Sequence, residues 1–220
     1  MGKLIVFEGT DGSGKATQLR MLADRLRQAG SAFRTLEFPQ YEKPSSALVR
    51  MYLAGAFGAH PEDVNAYAAS MFFSVDRFAS YQQDWRDYYA QGGILLADRY
   101  TTSNAVHQAA KLPPQEQKNF FSWLYDLEFC KMGLPKPDLV LFLDVPIAVT
   151  EQLLQQRSQQ TGAQGDIHEK DLDYLRLCRK TAQAAADYYG WKKIECVEQG
   201  QLCSIAQIHE KVYAQVRACL

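Results

Sequence analysis

The chain has 220 residues, which at roughly 150 residues per domain makes between one and two domains. Lysine and arginine number 24 against 25 aspartates and glutamates, for a formal net charge of −1. That balance argues against a general polyanion binder, because affinity for a phosphate backbone needs a clustered positive excess. With 47% hydrophobic and 22% charged residues, the composition is that of a globular chain long enough to bury a sizeable core.

In chain order, residues 3–8 (KLIVFE) predict a first strand, and residues 15–29 a helix with Leu19, Leu22 and Leu26 on one face, closed by Gly30. Residues 33–38 read as a second strand. A long helical stretch runs from about Glu62 to Ala90 and carries Phe72, Phe73 and Tyr81. GGILLAD (92–98) is a third strand, DLVLFLD (138–144) a fourth and residues 192–197 a weaker fifth. Ile205, Ile208, Val212 and Val216 mark a terminal helix. Strands that are apolar throughout need cover on both faces, so their alternation with helices predicts one three-layer α/β domain over residues 1–220. The polar stretch 158–165 (SQQTGAQG) looks mobile, although composition alone makes it an ordinary surface loop.

The five cysteines, Cys130, Cys178, Cys196, Cys203 and Cys219, are scattered and never spaced C-x-x-C. They predict reduced thiols in the cytoplasm rather than a disulfide framework or a zinc site. The run Leu139 to Leu143 is far short of the ~20 residues that span a bilayer, and Leu4 to Phe7 is too short for a signal-peptide core. Val6 stands where a myristoylation motif wants Ser or Thr. Neither a membrane nor a nucleic acid is expected as a partner.

The stretch Gly9-Thr10-Asp11-Gly12-Ser13-Gly14-Lys15 fits G-x-x-x-x-G-K and lies between a predicted strand and a predicted helix, as a phosphate loop requires. Its glycines let the backbone curl so that several N–H groups point into one concavity at a helix N-terminus. Lys15 then sets a cation against the β- and γ-phosphates. Ala16 follows where the motif has a Mg²⁺-binding hydroxyl, and Thr17 lies about 100° further round the helix.

Asp98-Arg99-Tyr100 closes the third strand. Carboxyl ends of strands form the ligand crevice in open α/β sheets, so Asp98 is expected beside the loop. There it can hold Mg²⁺ through water or orient an attacking group, while Arg99 clamps a second phosphate. Taken without the loop, the pair also has a plainer, less favoured reading as a strand-end ion pair. Asp144 also ends a strand just before Pro146 and is read as a helix cap. Phe73 and Arg77 share a helical face and suit a ring platform with a donor beside it, although Phe73 alone reads more readily as core.

GTDGSGK, FP at 38–39, FFSVDR at 72–77, DRYTTSNAVHQ at 98–108 and LPKPDLVLFLDVP at 134–146 occur in this order over nearly the whole chain. Together they resemble the thymidylate kinase family. The resemblance implies a nucleoside-monophosphate-kinase fold, a five-stranded parallel sheet flanked by helices, with a lid over residues 158–170 and a homodimeric assembly. It implies transfer of the γ-phosphoryl of Mg²⁺-ATP to dTMP, giving dTDP. By the same resemblance residues 9–17 hold ATP, Phe73 stacks on thymine, Arg77 bonds a base carbonyl and Arg99 binds the acceptor phosphate. Asp11 lies near the sugar hydroxyl, and Pro39, Ser103, Asn104 and Gln108 line the acceptor. Arg50 resembles an arginine that bacterial members place near the acceptor nucleotide. His107 stands where many members carry an aromatic near the 2′ position, a candidate 2′-deoxy discriminator beside its plainer reading as a structural histidine.

The departures from the pattern bear on the chemistry. Tyr41 and Gly12 occupy places where eukaryotic-type members carry arginines, the 158–165 stretch has no basic residue, and Ile167 replaces a frequent arginine. Arg157 is the remaining nearby cation, which puts it with Lys15, Asp98 and Arg99 as a candidate catalytic group. Two other functions fit the same loop: a different deoxynucleoside or deoxynucleotide kinase, and a nucleotide-binding sensor or scaffold with weak transfer.

Overall fold

The computed structural model describes residues 1–147, 149–150, 167–168 and 171–220. Five strands, β1 (Lys3–Glu8), β2 (Phe33–Glu37), β3 (Ile94–Asp98), β4 (Leu139–Asp144) and β5 (Lys192–Glu195), form one parallel sheet of order β2-β3-β1-β4-β5. All five expected strands are present in their expected places. The weak fifth ends early because Val197–Glu198 (β6) turns back to pair antiparallel with Gln201–Leu202 (β7).

Successive strand residues point to opposite faces, and both faces are covered. Ile5, Phe7, Leu141 and Leu143 pack under α1 (Lys15–Gln28) and α8 (Ile205–Cys219), through Leu22, Leu26, Ile208, Val212 and Val216. Leu4, Val6, Leu95 and Phe142 face the other way. They are closed in by α5 (Thr101–His107), α6 (Pro114–Tyr125) and α7 (Leu172–Tyr189), with Val106, Phe120, Phe121 and Cys178 at the contact. The expected three-layer α/β fold is the one observed.

The helical stretch expected over 62–90 is not continuous. A 3₁₀ turn at Pro61–Asp63 comes first, then α3 (Ala66–Ser80) starts at Asn65, whose side chain accepts the Ala68 N–H at 2.9 Å. A π-helical turn at Tyr81–Trp85 separates α3 from α4 (Arg86–Ala90) and sets Trp85 inside, its indole N–H on Ser80 Oγ at 3.2 Å. Helix α2 (Ala47–Leu53) packs on α3 through Val49, Tyr52, Leu53 and Ala69. Asp144, expected as a helix cap, also reaches α7, where its carboxylate takes Arg179 Nη2 at 2.9 Å and Gln183 Nε2 at 3.3 Å.

What positions a site is the middle of the sheet. Phe7 is in register with Asp98, and Glu37 with Asp98 on the other side, so β1, β2 and β3 end together. The loop after β1 and the Asp98-Arg99 corner therefore face one crevice. Arg157 and the 158–165 stretch lie outside the described residues.

Candidate active site

The loop after β1 needs glycine for two different reasons. Gly14 caps α1 in the left-handed region (φ 86°), where nothing lies within 4 Å of a Cβ, so conformation rather than space excludes a side chain. At Gly9 space decides, because a Cβ would sit 2.6 Å from Ser13 Oγ and 3.1 Å from the Leu143 carbonyl. Helix α1 has no acid in its first turn, so its free N–H groups present uncompensated positive potential. Lys15 is buried, and its Nζ donates to the carbonyls of Gly9 (2.9 Å) and Thr10 (3.0 Å). Burial and Arg99 pull its pKa down, opposed by Asp11, Asp98 and Glu8. Asp11, Gly12, Gly14, Lys15, Ala16 and Thr17 line the cleft, with Glu37, Pro39, Tyr41, Asp98 and Arg99 opposite.

Arg99 is the junction. It holds a left-handed backbone (φ 67°) and gives its N–H to the Phe7 carbonyl at 3.1 Å, tying it to the end of β1. Non-glycine residues in this region cost about 1–3 kcal/mol and concentrate at functional sites. Its guanidinium pairs with Asp11, reaches Ser103 Oγ at 3.3 Å and His107 Nε2 at 3.2 Å, and lies 3.7 Å from Glu8. Burial works against its charge, but Asp11, Glu8 and Asp98 raise its pKa above the usual arginine value. Burial likewise opposes the Asp11 charge, yet Arg99 and Lys15 hold this carboxyl well below the usual range.

Glu8, which belongs to no sequence motif, braces the whole junction. Fully buried, it accepts the Gly9 N–H at 2.9 Å, Thr102 Oγ1 at 2.6 Å and Ser103 Oγ at 2.7 Å. One carboxylate thus ties the phosphate loop to α5. The available signal was a charged residue ending a fully apolar buried strand.

The second cavity lies beyond Arg99. Its wall brings together Asp11, Pro39, Phe73, Arg77, Arg99, Ser103, Asn104, His107 and Gln108, all expected from the sequence, and adds Tyr41 and His168. Phe73 is half-buried and meets Tyr52 edge-on at 6.1 Å, so it serves core and cavity at once. The Gln108 side-chain oxygen is buried without a partner among the described residues, on a residue that lines this cavity.

Asp76 pins the segment after Pro39 by accepting the Gln40 N–H (2.8 Å) and the Ser45 hydroxyl (2.6 Å). Arg50 is placed differently from its expected role. It is exposed, lines neither cavity, and bonds the carbonyls of Tyr41 (2.6 Å) and Lys43 (3.0 Å).

His168 lies within the stretch expected to be the lid, and no motif in the sequence marks it. Its ring stacks on His107 with centroids 5.5 Å apart, and its Nε2 lies 2.7 Å from the Tyr52 hydroxyl. Burial lowers the His168 pKa to about 3 and drives that of His107 well below the usual value, so both rings are neutral at physiological pH. Lys111, on the same Tyr52 hydroxyl at 2.9 Å, is pulled down to about 7 by burial.

The fit of a divalent cation rests on one atom. Asp98 Oδ1 is buried without a partner among the described residues, on a side chain that lines the loop cleft. Among those residues no group of three or more His, Cys, Asp or Glu could hold a metal by itself. This donor set suits an ion carried mostly by phosphates and water.

A family model for thymidylate kinase matches residues 7–211. The thymidylate kinase of Mycobacterium tuberculosis is 33% identical over 195 residues, covering 86% of this chain and 87% of that protein. The human thymidylate kinase is 35% identical over 150 residues, 67% of this chain and 63% of that protein. The solved thymidylate kinase of Candida albicans superposes with a TM-score of 0.69 at 23% identity, over 99% of this chain and 92% of that one, and so shares the fold. With the family model matching most of this chain and relatives at this identity, the chain belongs to the thymidylate kinase family.

Proposed function

We propose how this member of the thymidylate kinase family divides its reaction, γ-phosphoryl transfer from ATP to dTMP giving dTDP, among its residues. One observation carries the reading: the loop cleft and the second cavity share Asp11, Pro39, Tyr41 and Arg99 as a common wall. A donor phosphate on the loop and an acceptor phosphate on Arg99 are then neighbours, and phosphoryl transfer depends chiefly on such positioning.

Residues 9–17 cradle the phosphates of ATP, and Lys15 exchanges its loop carbonyls for the β- and γ-phosphates. Arg99, kept charged and oriented by Asp11 and Glu8, receives the acceptor phosphate. Asp98 would hold Mg²⁺ through water; that ion, when bound with ATP, neutralises phosphate charge. Arg157 is proposed as a further cation on the γ-phosphate. Phe73 is the platform for thymine, with Arg77, Asn104 and Gln108 around the base edge. Ser103 and the neutral His107 stand beside the sugar and phosphate.

The weaker alternatives are a sensor or scaffold with weak transfer and another deoxynucleoside or deoxynucleotide kinase. Neither is favoured, since the buried Arg77 and the half-buried Arg99 in the acceptor cavity suit an acceptor that carries both a base carbonyl and a phosphate.

The chain is proposed to form one domain and to work as a cytoplasmic homodimer. Tyr67, Met71, Val75 and Phe78 form an exposed apolar stripe along α3, beside Leu48 and Met51 of α2, which supports the dimer. Free cysteines at all five positions agree with a reducing compartment. No described helix is long and apolar enough to cross a membrane.

Phe73→Ala tests the acceptor assignment. Base–aromatic stacking is worth about 1–3 kcal/mol, so KM for dTMP is expected to rise at least about tenfold while KM for ATP stays put. Unchanged dTMP kinetics in a folded variant would return Phe73 to the core.

A further inference from the structure

We propose that Glu128 is a positioning residue that sets the donor–acceptor pattern of the base-reading wall and so selects a 4-keto pyrimidine over a 4-amino one. The inference rests on the acceptor assignment above and deepens it.

Glu128 lies on a π-helical turn, Asp126–Lys131, that continues α6 and turns its carboxylate into the protein, where it is fully buried. Oε2 accepts Arg77 Nε at 2.8 Å. Oε1 accepts Arg77 Nη2, Ser74 Oγ at 2.9 Å and Asn104 Nδ2 at 3.3 Å. The Asn104 Nδ2 also donates to the Ser70 carbonyl at 3.2 Å. A carboxylate paired with arginine and a backbone carbonyl can only accept, so both partners demand the –NH₂ end of the Asn104 amide.

Two consequences follow for the cavity that Arg77 and Asn104 both line. The Asn104 Oδ1 is left as the atom offered to a ligand, an acceptor. The Arg77 Nε–Nη2 edge is consumed by Glu128, which leaves Nη1, a donor. Thymine and uracil present a complementary pair, the O4 acceptor beside the N3–H donor. Cytosine reverses both, with a donating amino group beside a bare N3. Two mismatched buried groups are a strong basis for rejection, because a site built to hydrogen-bond its substrate discriminates by factors of about 10⁴–10⁵.

Glu128 could instead be only a counter-ion for a buried arginine. Its loss would then weaken every acceptor equally. The discriminating readout is therefore a ratio, kcat/KM for dTMP over kcat/KM for 5-methyl-dCMP. These acceptors share sugar, phosphate and methyl group and differ at position 4 and N3.

In Glu128→Gln one of the two acceptor oxygens becomes an –NH₂ donor, so Arg77 Nε, Arg77 Nη2 and Asn104 Nδ2 can no longer all keep their acceptor, and the wall's donor–acceptor pattern is no longer fixed. The ratio is expected to fall at least about tenfold, since a wall that can reorient penalises the 4-amino base less, with KM for ATP unchanged. Should that variant fail to fold, Glu128→Asp keeps the charge on Arg77 but withdraws the carboxylate by one methylene from Asn104. A smaller fall in the same ratio is expected there. Equal losses for both acceptors in a folded variant would overturn the proposal, as would a wild-type enzyme that takes both acceptors equally well. A wild type that fails to phosphorylate dTMP at all would instead overturn the acceptor assignment itself.

Discussion

Arg99→Ala is expected to lower kcat/KM for dTMP by roughly a thousandfold or more, the range seen when a cation on a transferring phosphate is removed. Three effects act in one direction. The acceptor phosphate loses its half-buried positive partner, the Asp11 carboxylate loses its strongest cationic neighbour, and a negative charge with only Lys15 left to offset it faces the incoming dianion. Arg99→Lys restores charge without the planar fork that spans Asp11, Ser103 and His107, so it recovers activity only in part. Arg99→Gly separates catalysis from folding. It loses as much activity as alanine, yet at φ 67° it relieves backbone strain, so its melting temperature is expected to exceed that of Arg99→Ala. Steady-state kinetics and thermal unfolding of the three variants check these outcomes. An alanine variant within tenfold of wild type would remove Arg99 from the acceptor site.

Lys15→Ala is expected to lower kcat by about a thousandfold while KM for dTMP changes little. Lys15 lines the loop cleft but not the acceptor cavity, so its loss falls on charge developing at the donor phosphates. The variant also leaves the Gly9 and Thr10 carbonyls without their ammonium donor, which costs some stability but does not touch the acceptor wall. Equal rises in the KM of both substrates, with kcat preserved, would show Lys15 to be a binding residue only.

The strands were legible because a parallel sheet covered on both faces leaves strand interiors apolar, and those of β1, β3 and β4 are, with charges only at their ends. The loop was legible because its glycines and lysine are local in sequence. What sequence hid was chemistry assembled across distance. Glu8 acts through Thr102 and Ser103 on a helix far along the chain, and Glu128 reaches Arg77 only because a π-helical turn aims it inward. His168 follows a polar stretch whose composition gives no reason to expect a buried ring. The break in the 62–90 helix was missed because apolar residues keep helical spacing across a π-helical turn. Arg50 shows the limit of resemblance, since matching a family position does not bring its side chain into the cavity.

The most direct test is a transfer assay on the wild-type chain with Mg²⁺-ATP and four acceptors, dTMP, dUMP, dCMP and thymidine, following ADP and acceptor products together. With Arg99 as phosphate clamp and the Arg77–Asn104 wall as base reader, dTMP yields dTDP with one ADP per turnover. On the same grounds dUMP is accepted, while dCMP and thymidine yield nothing above the acceptor-free rate. Thymidine phosphorylated as fast as dTMP, or ATP and dTMP both bound without any dTDP formed, would contradict it.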